Sequence, residues 1–263
     1  MNQPESVRAQ YADGKNLSIR QALHEKYSAN RYGLQNWIWD QYQFQPESRI
    51  LELGCGTGAF WEERAQKLPK DAVLLLTDLS QSMVAEAWGR AGAHPRVLAQ
   101  RMDIQEIPFS AESFDAVIAN HMLYHVPDLP KAMAQVHRVL KPGGVFYCAT
   151  NGAQGMSEYL HRALKEFNPA IDAFGPHGSS FTLQNGRSAL EPLFPSVRLA
   201  EYADSLTITQ TQDLVDWIAS TLSIAELAPG QLTGLYDFFE ARRREKGYID
   251  IPKQVGMFIA QKA

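Results

Sequence analysis

The sequence predicts an α/β protein built on a doubly wound, mostly parallel sheet. Three observations carry this. Residues Ile50 to Phe60 read ILELGCGTGAF, a short apolar strand that breaks into a glycine turn and resumes as helix-forming sequence. From Arg49 to Thr150, apolar runs of strand length alternate with stretches of helix length, the grammar of right-handed crossovers and a parallel sheet. Strands 2, 3 and 4 run into Asp78, Asp103 and Asn120, at the carboxyl edge where α/β sheets bind ligands.

Each element follows from local pattern. A helix is suggested over Ser18 to Tyr27. A second, over Tyr32 to Phe44, places Leu34, Trp37, Ile38 and Tyr42 on one face at helical spacing and ends at Pro46; Trp37 and Tyr42 read as core. Strand 1 is Ile50 to Leu53, and helix A runs from Ala59 to Leu68. Strand 2, Ala72 to Thr77, precedes a helix that Ser80 would cap and that ends near Gly89 to Gly92. Strands 3 and 4 are Arg96 to Met102 and Phe114 to Ala119. A helix over Leu129 to Leu140 is stopped by Lys141, Pro142, Gly143 and Gly144, and strand 5 is Val145 to Ala149.

Beyond Thr150 the grammar changes. Met156, Tyr159, Leu160, Ala163, Leu164 and Phe167 form an amphipathic helical stripe, and Asn168 to Ser180 is a Pro/Gly-rich loop. Val197 to Thr209 has strand character, Asp213 to Ser220 and Gln231 to Lys246 read as helices, and Gln254 to Gln261 is the last strand. Arg242 to Arg244 read as a solvated charge run at a helix C-terminus. Residues 1–45 are expected to form a helical lid, and residues 46–263 one domain with a cap insertion at 152–196. The aromatics Tyr159, Phe167, Phe174 and Phe181 would give that cap an apolar or ring-binding character, unless they are core.

Composition narrows the function. The chain has 263 residues with 45% hydrophobic content, enough for a sizeable core. Its net charge of −4 argues against a nucleic-acid binder. No apolar run approaches a membrane span, and the polar N-terminus lacks a signal core. The two cysteines, Cys55 and Cys148, fall in core elements, so a reducing cytoplasm is expected and a disulfide is not. No Cys/His cluster has metal-ligand spacing.

The glycine turn points to a nucleotide-like ligand. Glycines let the backbone turn tightly and approach a ligand, and a following helix would present free N–H groups to an anion. Gly54, Gly56 and Ala59 fit the dinucleotide pattern G-x-G-x-x-G/A; Glu52, Gly54, Gly56 and Gly58 fit E-x-G-x-G-x-G. Asp78, in LLLTDLS, is a carboxylate at a strand tip able to accept from both hydroxyls of a ribose.

With Glu52 and the glycine turn, Asp78, MDIQEIPF, Asn120 and LKPGGVF in this order, Ile50 to Thr150 resembles the class I S-adenosylmethionine-dependent methyltransferases of small-molecule type. The resemblance implies a Rossmann-like sheet of seven strands, order 3-2-1-4-5-7-6, with strand 7 antiparallel. It implies S-adenosylmethionine as cofactor, with Glu52, Gly54, Cys55 and Gly56 at the methionine arm and Asn120 beside it. Asp78 would meet the ribose and Asp103 and Ile104 the adenine, and Leu79 and Met83 would also belong to the cofactor site. Tyr27 and Arg31 would reach the cofactor from the lid. His121 and His125, in NHMLYHVPD, are the candidate general bases. The expected reaction is methyl transfer to a small molecule, on oxygen or nitrogen or, less so, on carbon, by a cytoplasmic monomer or homodimer without metal, nucleic-acid or membrane partner. The alternatives are an NAD-dependent oxidoreductase, against which no Tyr-x-x-x-Lys is evident, and a non-catalytic S-adenosylmethionine-binding protein.

Overall fold

The structure, a computed structural model, describes residues 14–175, 180–221 and 229–263. Seven strands form one sheet in the order β3-β2-β1-β4-β5-β7-β6, as expected. They are β1 Arg49–Leu53, β2 Val73–Asp78, β3 Val97–Arg101, β4 Phe114–Ile118, β5 Leu140–Asn151, β6 Ser196–Ile208 and β7 Ile249–Gln261. The helices are α1 Gly14–Tyr27, α2 Leu34–Gln41, α3 Gln81–Ala91, α4 Leu129–Val139, α5 Met156–Phe167, α6 Gly186–Leu190, α7 Thr211–Thr221 and α8 Leu232–Lys246.

β1 pairs in parallel with β2 and β4, with Leu53 opposite Thr77 and Glu52 opposite Ile118. β2 pairs in parallel with β3, and β4 with β5. β7 is antiparallel to β5: Gly143 N–H bonds to Lys262 C=O, and nine residues along β5, Gly152 N–H bonds to Gln254 C=O, so the register descends.

The chain divides into two compact units. The larger holds residues 34–150, 180–201 and 256–263. Its inner strands β1, β2 and β4 are buried on both faces, which explains their apolar runs. Leu51, Leu75, Val117, Phe146 and Cys148 lie in one cluster with Ala132, Met133 and Val136 of α4. Their neighbours Ile50, Leu74, Leu76, Ala116, Ile118 and Tyr147 lie in another, with Ile38 of α2, Trp61, and Ala87 and Ala91 of α3. The alternation between clusters is the period of two of a pleated strand. α2 therefore belongs with this unit, which begins at Leu34.

The smaller unit holds residues 1–33, 151–179 and 202–255, those before Gly14 lying outside the described residues. The stripe on α5 is realised, and Leu160, Ala163 and Leu164 pack with Leu23, Leu206, Leu214 and Phe239. Tyr159, Phe167 and Phe174 pack against that cluster, whereas Phe181 is 0% exposed inside the core of the larger unit. Asp204 is a hub of the smaller unit. Its side chain is 0% exposed and pairs with Lys253, itself 7% exposed. It also accepts from Ser28 Oγ, from Asn30 N–H at 2.9 Å and from its neighbour Ser205 N–H at 2.9 Å. These bonds pin the stretch after α1 to β6, where Ala29 N–H meets Ser205 C=O at 2.8 Å.

Two expectations are corrected. Helix A does not form; residues 59–61 and 65–67 are two short 3₁₀ turns. Their i→i+3 bonds (Trp61 to Gly58, Arg64 to Trp61, Leu68 to Ala65) tighten the backbone while Trp61 is drawn fully inside to bond Glu52. The Arg242–Arg244 run is more than solvated charge: Arg243 and Arg244 bond the Glu240 carboxylate at 2.8 and 3.0 Å, and Arg242 pairs with Glu166.

Candidate active site

The parallel register brings the ends of β1, β2 and β4 to one edge of the sheet. At the end of β1 the chain enters the glycine turn. Gly56 has φ +56°, and a Cβ there would point into open space, so the turn leaves a cradle. Gly58 has a different reason to be glycine: its Cβ would lie 2.7 Å from the Ala87 backbone, so α3 packs directly on the turn.

Asp78, at the tip of β2, binds the turn from the side. One carboxylate oxygen accepts Gly56 N–H at 3.0 Å and the other Ser80 N–H at 2.8 Å. Ser80 sits at the N-cap of α3 without a side-chain capping bond, so Asp78 orders the helix start as well as the turn. A carboxylate has about four acceptor positions, which leaves room for ribose hydroxyls. Burial raises the Asp78 pKa, opposed by the Ser80 and Gly56 N–H groups.

Glu52 is the unusual group. It is 3% exposed within the sheet. Its carboxylate accepts the indole N–H of Trp61 and, weakly at 3.5 Å, the Asn120 amide. Among the described residues no cation pairs with it. Burial therefore pushes its pKa up to about 7, against the pull of the Trp61 and Asn120 bonds. Asn120 Nδ2 also donates to the Tyr42 hydroxyl at 2.7 Å, while its Oδ1 is buried with no hydrogen-bond partner. An uncompensated acid beside an unsatisfied amide oxygen fits a ligand carrying a cationic donor.

Other expected residues take varied places. Burial drives the pKa of the Cys55 thiol far up. Leu79 is exposed, and Met83 is nearly buried on α3. Asp103 accepts the Gln105 backbone N–H at 2.8 Å and its side-chain amide at 3.2 Å, and Ile104 packs in the core. His121, after β4, has a left-handed backbone, φ 53°, with its N–H bonded to Ala149 C=O at 2.9 Å. His125 ends a 3₁₀ turn, and its ring meets Tyr124 edge-on at 4.6 Å. Tyr27 and Arg31 lie in the smaller unit. There the Tyr27 hydroxyl bonds the Asp213 carboxylate at 2.5 Å, beside Lys26 at 2.7 Å. No group of metal-binding side chains was found among the described residues.

Sequence reasoning missed Trp61 and Tyr42 as site residues. Trp61 was hidden in an expected helix. Tyr42 was read as core from its place on the α2 stripe, and its hydroxyl was not weighed.

Residues 51–148 match the family described as methyltransferase domain. Over those residues the chain is similar to the class I S-adenosylmethionine-dependent methyltransferases. Over 167 residues it is 29% identical to the demethylmenaquinone methyltransferase of Symbiobacterium thermophilum, covering 58% of this chain and 66% of that one. Over 137 residues it is 33% identical to the mouse mitochondrial arginine-hydroxylase NDUFAF5, covering 51% and 38%. The match thus spans less than two thirds of either relative. The YcgJ protein of Bacillus subtilis superposes with a TM-score of 0.60 at 16% identity, covering 87% of this chain and 97% of that one, which establishes the shared fold.

Proposed function

We propose that the protein transfers a methyl group from S-adenosylmethionine to a small-molecule acceptor, at oxygen or nitrogen first and at carbon second. The observation that carries this is Glu52, a buried acid at the glycine turn with no cationic partner among the described residues. An amino-acid arm bearing an ammonium answers that charge; a pyrophosphate, as in NAD, would add a like charge beside it.

When bound, the cofactor supplies a methyl already activated on a sulfonium. The chain's own residues then have mainly to hold and orient. Glu52 and Asn120 Oδ1 receive the ammonium, and Asp78 accepts from the ribose hydroxyls while fixing the turn through Gly56. With no regular helix after the turn, the anionic end of the arm is served by individual N–H groups rather than a long helix dipole. Orientation of this kind supplies roughly 7–11 kcal/mol in favourable cases. The relative named for demethylmenaquinone supports a small acceptor. The net charge of −4 supports one that is not nucleic acid. We place the protein in the cytoplasm, as a monomer or homodimer.

The test is a thermal-shift titration. S-adenosylhomocysteine at about 100 times its dissociation constant should stabilise by about 2.7 kcal/mol, and NAD at the same concentration should not. Stabilisation by NAD alone would sink the reading. Methyl transfer is then sought with labelled S-adenosylmethionine on a metabolite panel; a hydroxylated product in place of a methylated one would align the chain with its arginine-hydroxylase relative.

His121 or His125 is proposed as the base that takes the acceptor's proton. Replacing the acting histidine by alanine should lower turnover by about 10²-fold, with little change in cofactor affinity and loss of the pH–rate limb near pH 6–7. Near-wild-type turnover in both variants, with the limb intact, would show that positioning alone suffices.

A further inference from the structure

We propose that Tyr42 is a positioning residue for the cofactor's amino-acid arm: its hydroxyl holds the Asn120 amide so that Oδ1 faces the ammonium site beside Glu52. This rests on the cofactor reading above. Tyr42 itself lies outside the matched residues 51–148.

The first observation is hydrogen-bond bookkeeping. Asn120 Nδ2 lies 2.7 Å from the Tyr42 hydroxyl and 3.5 Å from a Glu52 carboxylate oxygen. A carboxylate accepts only, so the amide presents its nitrogen, not its oxygen, on that side. The oxygen, the amide's other arm, is buried without a hydrogen-bond partner. A buried amide oxygen left unsatisfied keeps its full desolvation penalty, so such an atom calls for a donor from a ligand.

The second is the fixed place of the hydroxyl. The Tyr42 ring stacks on Phe44 at 4.9 Å and meets Tyr147 edge-on at 5.0 Å, with Phe60 and Trp61 completing the wall at 6.0 and 6.4 Å. These rings would hold a phenylalanine equally well. The hydroxyl is thus not needed for packing, and its recorded bond is the one to Asn120. Burial, followed by the neighbouring Glu52 charge, raises the Tyr42 pKa well above the ordinary tyrosine value, so the phenol stays neutral and serves as a fixed anchor rather than a base.

The third is the wall's double use. Trp61, in the same aromatic group, donates its indole N–H to Glu52. One packed cluster thereby orients both polar groups: Trp61 the carboxylate, Tyr42 the amide.

Calorimetry on four proteins tests this: wild type, Tyr42→Phe, Asn120→Ala and the double variant, each titrated with S-adenosylhomocysteine and with 5′-methylthioadenosine, which lacks the amino-acid arm. Tyr42→Phe should weaken S-adenosylhomocysteine by about five- to tenfold and leave methylthioadenosine unchanged. In the Asn120→Ala background it should cost nothing further, because the two act as one unit. Three results would overturn the proposal: unchanged S-adenosylhomocysteine affinity in Tyr42→Phe, an equal loss for both ligands, or additive losses in the double variant. Failure of the wild type to bind S-adenosylhomocysteine at all would instead remove the cofactor reading on which the proposal stands.

Discussion

Replacing Glu52 by glutamine should strengthen the ligand-free protein above neutral pH and weaken its hold on the cofactor. The two effects share one cause. Burial raises the Glu52 pKa from 4.5 to about 7, so the native state keeps this proton where the unfolded chain has lost it. The raised pKa contributes stability that is fully present below about pH 4.5 and is lost as the pH climbs towards 7. At one pH unit per 1.36 kcal/mol, the loss by pH 8 is about 3 kcal/mol. Glutamine has nearly the same shape, accepts the Trp61 indole N–H and carries no charge, so the variant should escape this loss. Urea unfolding at pH 5 and pH 8 measures it: the wild type should fall between the two, and Glu52→Gln should stay nearly level. The ammonium of the cofactor, however, needs the charge. Charged hydrogen bonds contribute roughly 1.5–3 kcal/mol, so affinity for S-adenosylhomocysteine should drop about 10- to 100-fold. Equal affinity in both proteins would rule out Glu52 as the ammonium's partner.

Replacing Asp204 by alanine should be among the most destabilising single changes in the smaller unit. Its carboxylate fills its acceptor positions with Lys253, Ser28, Asn30 and Ser205. Burial alone would raise its pKa, but the Lys253, Ser28 and Asn30 bonds outweigh this and hold it below the usual carboxylate value. Removing the acid strands Lys253 as a buried, unpaired cation, a loss of about 3–5 kcal/mol. Adding Lys253→Met should restore much of it, because the orphaned charge goes too. The pH dependence has the opposite sign to that of Glu52: the pair's contribution is present above the ordinary aspartate range and fades as pH falls through the lowered value, so the penalty of Asp204→Ala should shrink in acid. A loss under 1 kcal/mol by urea unfolding at pH 7 would mean that the cluster is far weaker than its burial implies.

The sheet was legible in the sequence because its inner strands are buried on both faces. Ile50 and Leu51, or Val117 and Ile118, point opposite ways into two cores, and such runs have few other uses in a chain that keeps alternating with helices. The motif-borne part of the site was legible for a related reason: Asp78, the glycines and Asn120 sit where strands end, and strand ends can be counted. Helix A was misread because its residues have helical propensity; the deciding contact, Trp61 to Glu52, joins two elements and leaves no local trace. Tyr42 was misread for the complementary reason. Periodicity reports which way a side chain points and is silent about what its hydroxyl meets.

The contact between Trp61 and Glu52 gives the protein a built-in optical reporter. Indole emission shifts with charge placed along the ring, and this indole N–H points at a buried carboxylate whose pKa burial pushes up to about 7. The protein has five tryptophans, so a spectrum mixes several signals, but a single Trp61→Phe difference isolates this one. The protonation state of an acid shut away from solvent thereby becomes readable from emission colour, with no label attached and no reaction running.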